Sequence, residues 1–334
     1  MRNLFSLWPI ILALTITAQE TPTTTWQEQS QPDRLQFGGW MDLLYSNTDH
    51  GADDSYFDLP HIYAYADAHF SDRWRGFMEM RRVNAPGSKE DTGFERLYLE
   101  YRHGIPLKIR VGRFNTPAGL WQHMHWAYTI DSTEKPLIEQ KHFFPTESDG
   151  IQIFGTLVNG MSEVEYSVFG TYQGENNTFN SSNEMGYGFD LNVNLWERSK
   201  TGLFFQNFQF EGQKLDPNPG TRQTILAYNE TQLIPMKLLW RTEYLYLDRD
   251  EADSLSGYYS KLRYNFNARW FLNYRYDDTD IPEPNQQIRK QHANTLTLGF
   301  HATSFLRLRA EVSQSKTELE TETTTSSIWI GYRF

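Results

Sequence analysis

The chain has 334 residues, with 42 acidic against 31 basic side chains and a net charge of −11, a balance that argues against a nucleic-acid binder, for which a basic domain is expected. It contains no cysteine, so if exported it has no disulfides and must gain its stability from closure of its own fold. Mean hydropathy is −0.64 while aromatics make up 15% of the residues; low hydropathy with many aromatics excludes a helical membrane protein and suits a β-barrel, whose apolar residues occupy every second position.

At the start, Met1, Arg2 and Asn3 are followed by an apolar run from Leu4 to Leu14, and Ala18 precedes a polar stretch opening at Gln19. This pattern predicts a secretory signal peptide over 1–18, cut after Ala18. The run is shorter than the ~20 residues a spanning helix needs. Residues 19–34 are polar and contain Pro22 and Pro32, which predicts a disordered extension. Residues 35–334 show no composition shift and are expected to form one domain.

Strand candidates then recur to the end of the chain, at 35–45, 57–70, 73–83, 94–102, 106–113, 149–157, 162–172, 186–196, 201–211, 221–230, 236–248, 255–266, 269–277, 292–301, 305–316 and 325–334. That is about sixteen, an even number of suitable length for an all-β, transmembrane antiparallel barrel. The connections strengthen this reading. Short ones, such as Ser71-Asp72 and Thr303-Ser304, alternate with long ones at 84–93, 114–148, 173–185, 212–220, 249–254, 278–291 and 317–324. Outer-membrane barrels combine short periplasmic turns with long outer loops.

The faces are legible in the clearer strands. Ile62, Ala64, Ala66, Ala68 and Phe70 are expected to face lipid, with His61, Tyr63, Tyr65, Asp67 and His69 inside. Leu296, Leu298 and Phe300 oppose Thr295, Thr297 and His301, and Leu306, Leu308, Ala310 and Val312 oppose Arg307, Arg309, Glu311 and Ser313. A charge on the lipid face costs ~2–4 kcal/mol at midplane, so the polar sets must point to the lumen. Strands 149–157, 201–211, 221–230 and 236–248 are ambiguous in phase. Trp196, Trp270 and Tyr276 suit interfacial girdles. The chain ends on Ile328, Ile330, Tyr332 and Phe334 in alternation, a strand that needs a partner and that resembles the C-terminal assembly signal of outer-membrane barrels, implying barrel assembly machinery as a partner.

The longest connection, 114–148, holds Trp121, Trp126, Tyr128, Phe143 and Phe144. So many aromatics would leave an apolar patch in water, so this third long loop is expected to fold into the barrel and narrow it. The segment Arg110-Val111-Gly112-Arg113-Phe114-Asn115-Thr116-Pro117, with Gly119-Leu120-Trp121 and Glu134-Lys135-Pro136-Leu137, resembles the constriction-loop motif of porins related to the phosphate-selective porin O and P group. Ala118 stands where that motif commonly has Phe. The resemblance covers about forty residues and implies a sixteen-stranded, usually homotrimeric, passive channel. The lysine and arginine ladder behind phosphate selectivity has no residue-by-residue counterpart here.

By strand phase, Arg73, Arg75, Arg81, Arg96, Arg102, Lys108 and Arg110 share one inner wall, with Glu79 and Glu100 among them, while Asp131, Glu134 and Lys135 lie in the long loop. Lys261, Arg263, Arg275, Arg307 and Arg309 form a second basic wall. A basic wall facing an acidic loop is expected to set a transverse field that selects polar solutes by charge. The expectation is therefore an outer-membrane pore for small polar or anionic solutes, with lipid around it and no cofactor. Two other classes stay open: a barrel enzyme cleaving lipid or peptide, and a structural or adhesive barrel. No G-x-S-x-G or H-E-x-x-H pattern occurs. His123 and His125, with His142 or Glu139, form a weak candidate metal set.

Overall fold

The structure, a computed structural model, describes residues 34–49, 55–84, 91–124, 129–140, 143–172, 185–196, 198–210, 219–250, 252–282, 288–318 and 322–334. The predicted signal peptide, and all but the last residue of the predicted extension, lie outside them. No helix among the described residues is long and apolar enough to cross a membrane.

Sixteen strands follow one another: β1 Leu35–Thr48, β2 Ser55–His69, β3 Trp74–Val83, β4 Asp91–Arg102, β5 Lys108–Asn115, β6 Glu147–Asn159, β7 Ser162–Tyr172, β8 Met185–Leu195, β9 Ser199–Phe210, β10 Gly220–Ile234, β11 Leu238–Arg249, β12 Ala252–Asn265, β13 Trp270–Pro282, β14 Ile288–His301, β15 Leu306–Thr317 and β16 Thr323–Arg333. Among the described residues, two short helices, α1 Gly119–Met124 and α2 Leu137–Gln140, interrupt the series between β5 and β6. Each strand pairs antiparallel with its neighbour in sequence, and β1 pairs with β16, so the sheet closes into a barrel with no free edge.

Alternation in the sequence dictates this arrangement. In β8 the small and polar Gly186, Gly188, Asp190 and Asn192 are buried, while Met185, Tyr187, Phe189 and Leu191 are exposed on the other face. In β14 and β15 Thr295, Thr297, Arg309 and Glu311 are buried, and Leu296, Leu298 and Val312 are exposed. The exposed set forms an apolar belt, the surface a bilayer requires. Closure is sealed at the chain end. The backbones of Gly39 and Phe334 exchange two hydrogen bonds of 3.0 Å, and a Cβ at Gly39 would fall 2.6 Å from the Phe334 ring.

Several strands run past their expected ends. β13 and β14 stay paired out to Pro282 and Ile288, where the sequence suggested a loop over 278–291. Asp278 and Asp280 are unsuited to lipid, but a ladder that continues above the membrane needs only backbone partners. For the same reason the connection expected at 249–254 shrinks to 250–251.

Candidate functional site: the lumen and its inward loop

The connection between β5 and β6 enters the barrel. Its base is drawn together by Thr116, whose backbone N–H donates to Thr146 O at 3.0 Å and whose hydroxyl lies 2.8 Å from Ser148 Oγ. Gly119 then turns the chain with φ +63°, a conformation that L side chains rarely adopt. A Cβ there would also fall 2.3 Å from Glu243 Oε2. The close approach serves a purpose. Glu243, on the inner face of β11, accepts the N–H groups of Leu120 and Trp121 at 2.9 and 3.0 Å, satisfying donors that the first turn of α1 leaves open. Tyr259 Oη donates to the same oxygen at 2.7 Å.

Further along, wall carboxylates take more of the loop backbone. Glu311 accepts from Thr133 N and Glu134 N at 2.8 and 2.9 Å, and Asp277 accepts from Leu137 N at 3.1 Å. Wall cations take the carbonyls: Arg275 donates to Glu134 O at 2.9 Å and Arg309 to Ser132 O at 2.8 Å. Asp131 is buried among Lys261, Arg241 (3.1 Å) and Arg263 (3.3 Å). Burial opposes ionisation of Asp131, but the three cations outweigh it and hold the carboxyl well below the usual carboxylate range.

The apolar side of the loop docks on a matching patch. Leu120, Ile138, Phe143 and Phe144 pack with Phe204, Leu226, Leu245 and Leu255, all buried; each such side chain contributes about 1.5–3 kcal/mol on burial. These wall residues explain three of the four strands whose phase the sequence left ambiguous, 201–211, 221–230 and 236–248. β9, β10 and β11 carry apolar residues on both faces, because one face meets lipid and part of the other meets the loop. Of the loop aromatics, Trp121, Phe143 and Phe144 are buried as expected; Trp126 and Tyr128 lie outside the described residues.

The loop therefore docks against β9–β15, and Asp131 meets the basic side chains of β11 and β12 instead of those of β3–β5. The expected pairing of a basic wall with an opposing acidic loop is replaced by two separate arrangements. On β3–β5 the arginines have carboxylates from their own wall. Arg75 bonds Asp67 at 2.6 Å, Arg96 bonds Glu79 at 2.6 Å, and Arg81 pairs with Glu95 and, at 2.9 Å, Glu147. Glu100 serves three cations: Arg102 at 2.7 Å, Arg110 at 2.7 Å and Arg75 at 3.9 Å. Arg110 is also held over the rings of Tyr98 (4.2 Å) and Phe154 (4.6 Å), and Arg75 and Arg96 lie over Phe77. Lys108 sits 5.6 Å over Phe154 and has no carboxylate within ion-pair distance among the described residues. Arg73 lies in the β2–β3 turn, where its carbonyl accepts from Arg102 N. Lys135 is exposed on the loop, and its carbonyl accepts from Gln140 Nε2 at 2.7 Å.

Between the loop and the inner faces of β4–β8 lies a cavity of about 300 Å³, bordered by Arg96, Lys108 and Arg110 on one side and by Glu165, Asp190 and Asn192 on the other. It is polar and basic on the β4–β5 side. Glu79 and Glu100 were readable as members of this wall, but the hooks Glu243 and Asp277 were not. Each lies on a strand as a carboxylate like any other, and only the folded loop shows what it receives.

His125 and His142 lie outside the described residues, and among the described ones no three His, Asp or Glu side chains gather as a metal site. His61 bonds Asp42 at 2.9 Å and His292 bonds Asp278 at 2.9 Å. Among the described residues no serine or threonine hydroxyl bonds a histidine ring.

No described protein family matches this chain. An uncharacterized protein of Aquifex aeolicus (strain VF5) is 25% identical over 146 residues, which cover 39% of this chain and 33% of that protein, so the match spans about a third of the relative's length. Three solved structures resemble the fold. OmpT, an outer membrane protein of Vibrio cholerae folded in vitro, matches with a TM-score of 0.67 at 11% identity, covering 91% of this chain and 99% of that one; it is also known in a trimer form. An anion-selective porin from Comamonas acidovorans matches at 0.66 and 12% identity over 90% and 99% of the two chains. Salmonella typhi OmpF in complex with daunomycin matches at 0.66 and 13% over 90% and 97%. At such identities the likeness is one of fold. The closed sixteen-strand barrel, its apolar belt and these neighbours place the chain in the bacterial outer membrane.

Proposed function

We propose that this barrel is a porin that lets small polar solutes diffuse passively and favours anions. One observation carries the reading: among the described residues, Arg75, Arg102, Lys108 and Arg110 of the β3–β5 wall are served by only two carboxylates, Asp67 and Glu100, and Lys108 and Arg110 border the lumen cavity. Pairing therefore leaves net positive charge on the β3–β5 side of a space of about 300 Å³, whose carboxylates, Glu165 and Asp190, stand on β7 and β8. A positive lining raises the local concentration of anions and lowers that of cations. The anion preference in the name of the Comamonas acidovorans porin agrees with this reading. Phosphate as the particular solute has no support in the wall residues.

We also propose a mature chain starting near Gln19, recognition of the Phe334 end by barrel assembly machinery, and a homotrimer, the form known for OmpT of Vibrio cholerae. Purified protein in planar bilayers tests the central reading. Stepwise conductance, with a reversal potential on the anion side in a salt gradient, is expected. Turnover of a lipid or peptide substrate without conductance would instead make the protein a barrel enzyme. Conductance with a cation-side reversal potential would keep the porin and overturn the anion preference. Mass spectrometry of the membrane-extracted chain checks the start, and an intact Met1 would contradict it.

A further inference from the structure

The loop carries two acids that its docking leaves without a cation partner among the described residues. Glu139, in α2, is 4% exposed. Its Oε2 accepts one hydrogen bond, from Gln122 Nε2 at 3.2 Å, and its Oε1 has no partner. It faces Glu243 of β11, which is fully buried; Glu243 Oε1 already holds the start of α1, and its Oε2 also has no partner. The groups around this pair are Lys135 of the loop, Gln122 of α1, and Tyr259 and Lys261 of β12. Lys261 is already committed to Asp131. A second loop acid, the half-buried Glu134, lies near a wall carboxylate: its backbone donates to Glu311 of β15, and its carboxyl is influenced by Glu311, Arg275 and Asp277. Arg275 is committed to Asp277 at 2.6 Å.

Two ionised carboxylates enclosed together, with no cation in contact, are disfavoured by desolvation and by mutual repulsion. A proton removes both penalties and supplies the missing hydrogen-bond donor. We propose that the loop is a proton-held latch: Glu139 docks against Glu243 as a neutral acid, and rising pH frees the loop from the wall and widens the channel. This rests on the porin reading for its electrical readout only.

The direction follows from linkage. Burial and the neighbouring carboxylate raise both loop acids, Glu134 to about 7 and Glu139 in the same direction. The docked state thus binds more protons than the undocked one. Docking is fully stabilised below the ordinary carboxyl value and weakens as pH rises through the raised value. The window runs from weakly acid to weakly alkaline.

The test combines two measurements on the full chain. In planar bilayers, conductance of the parent is expected to rise reversibly between about pH 6 and pH 9, the span around the raised carboxyls. Glu139→Gln, which keeps the shape and stays neutral, is expected to hold the low conductance throughout, and Glu134→Gln to narrow the change. Independently, infrared difference spectroscopy is expected to show a protonated carboxyl near neutral pH that vanishes on alkaline titration and is missing in Glu139→Gln. A parent conductance that stays flat, or the same rise in Glu139→Gln, would overturn the latch. So would an infrared spectrum without that carboxyl, even if the barrel conducts as a porin. Absence of any conductance would count against the porin reading, and the infrared result would still decide the latch.

Discussion

Lys108→Gln isolates a single charge of the basic wall. Lys108 borders the lumen cavity and makes no ion pair among the described residues, so its replacement frees no carboxylate. At a separation of about 5 Å through water, one unit charge changes the energy of a passing ion by about 0.8 kcal/mol. Screening at about 0.01 M salt, with a Debye length near 30 Å, leaves most of this, roughly a threefold loss of local anion enrichment. Cations gain by a similar factor, so the anion-to-cation permeability ratio should fall by up to about tenfold. At about 1 M salt the Debye length is near 3 Å and the change should be below about twofold. Reversal potentials in KCl gradients at low and high mean salt measure both. Glu100→Gln should move the potential the opposite way, since it removes the carboxylate shared by Arg75, Arg102 and Arg110. An unchanged low-salt potential in Lys108→Gln, or a shift that persists undiminished at high salt, would refute a role for this wall in ion selection.

Three further outcomes are expected. Asp131→Asn leaves Arg241, Lys261 and Arg263 facing a neutral group; losing one member of a buried ion cluster costs about 3–5 kcal/mol, so the loop should loosen and single-channel records become noisier with larger steps, while the heat-resistant folded band on a gel persists. Gly119→Ala combines a disfavoured φ of +63° with a Cβ 2.3 Å from Glu243 Oε2, a strain of about 1–3 kcal/mol, and should give the same electrical phenotype with the selectivity largely kept; an unaltered record would mean that the start of α1 does not position the loop. Deleting Phe334, which is 55% exposed, should cost the folded barrel a few kcal/mol at most on the scale of apolar burial, yet lower the amount reaching the outer membrane in cells far more than it lowers refolding yield in detergent. Equal effects in both assays would contradict its reading as an assembly signal.

The barrel was legible because two periodicities agree. Alternation in β2, β8, β14 and β15 assigns their faces residue by residue, and the short and long connections set the antiparallel order. The strand ends were less legible. Asp278, Thr279 and Asp280 look like loop residues, but a hairpin rising out of the membrane no longer needs an apolar face, so they remain paired with His292, Gln291 and Lys290, respectively. The charges were legible as a set and not as pairs. Strand phase puts Arg75, Arg96 and Arg110 on one wall, but which carboxylate each one meets depends on the shear between strands. Arg241 was missed altogether, since it lies on a strand whose phase was unreadable.

That unreadable phase has a physical cause. A lumen strand is easy to read when water covers its inner face, because polar residues then alternate with apolar ones. Phe204, Leu226, Leu245 and Leu255 break the pattern on the inside, where a wet lumen would disfavour them. Something apolar must cover them, and the chain offers one long aromatic connection to do so. The loss of alternation in β9–β11 thus marks the apolar part of the ground on which the loop docks, while on β13 and β15, which carry polar inner faces, the loop is held by hydrogen bonds to Asp277, Arg309 and Glu311. The basic cluster of β3–β5 borders the solute path because the loop occupies the opposite wall. Polar replacement of Leu226 and Leu245 should then displace the loop without touching the charges of the open wall, raising conductance while leaving the sign of the reversal potential unchanged.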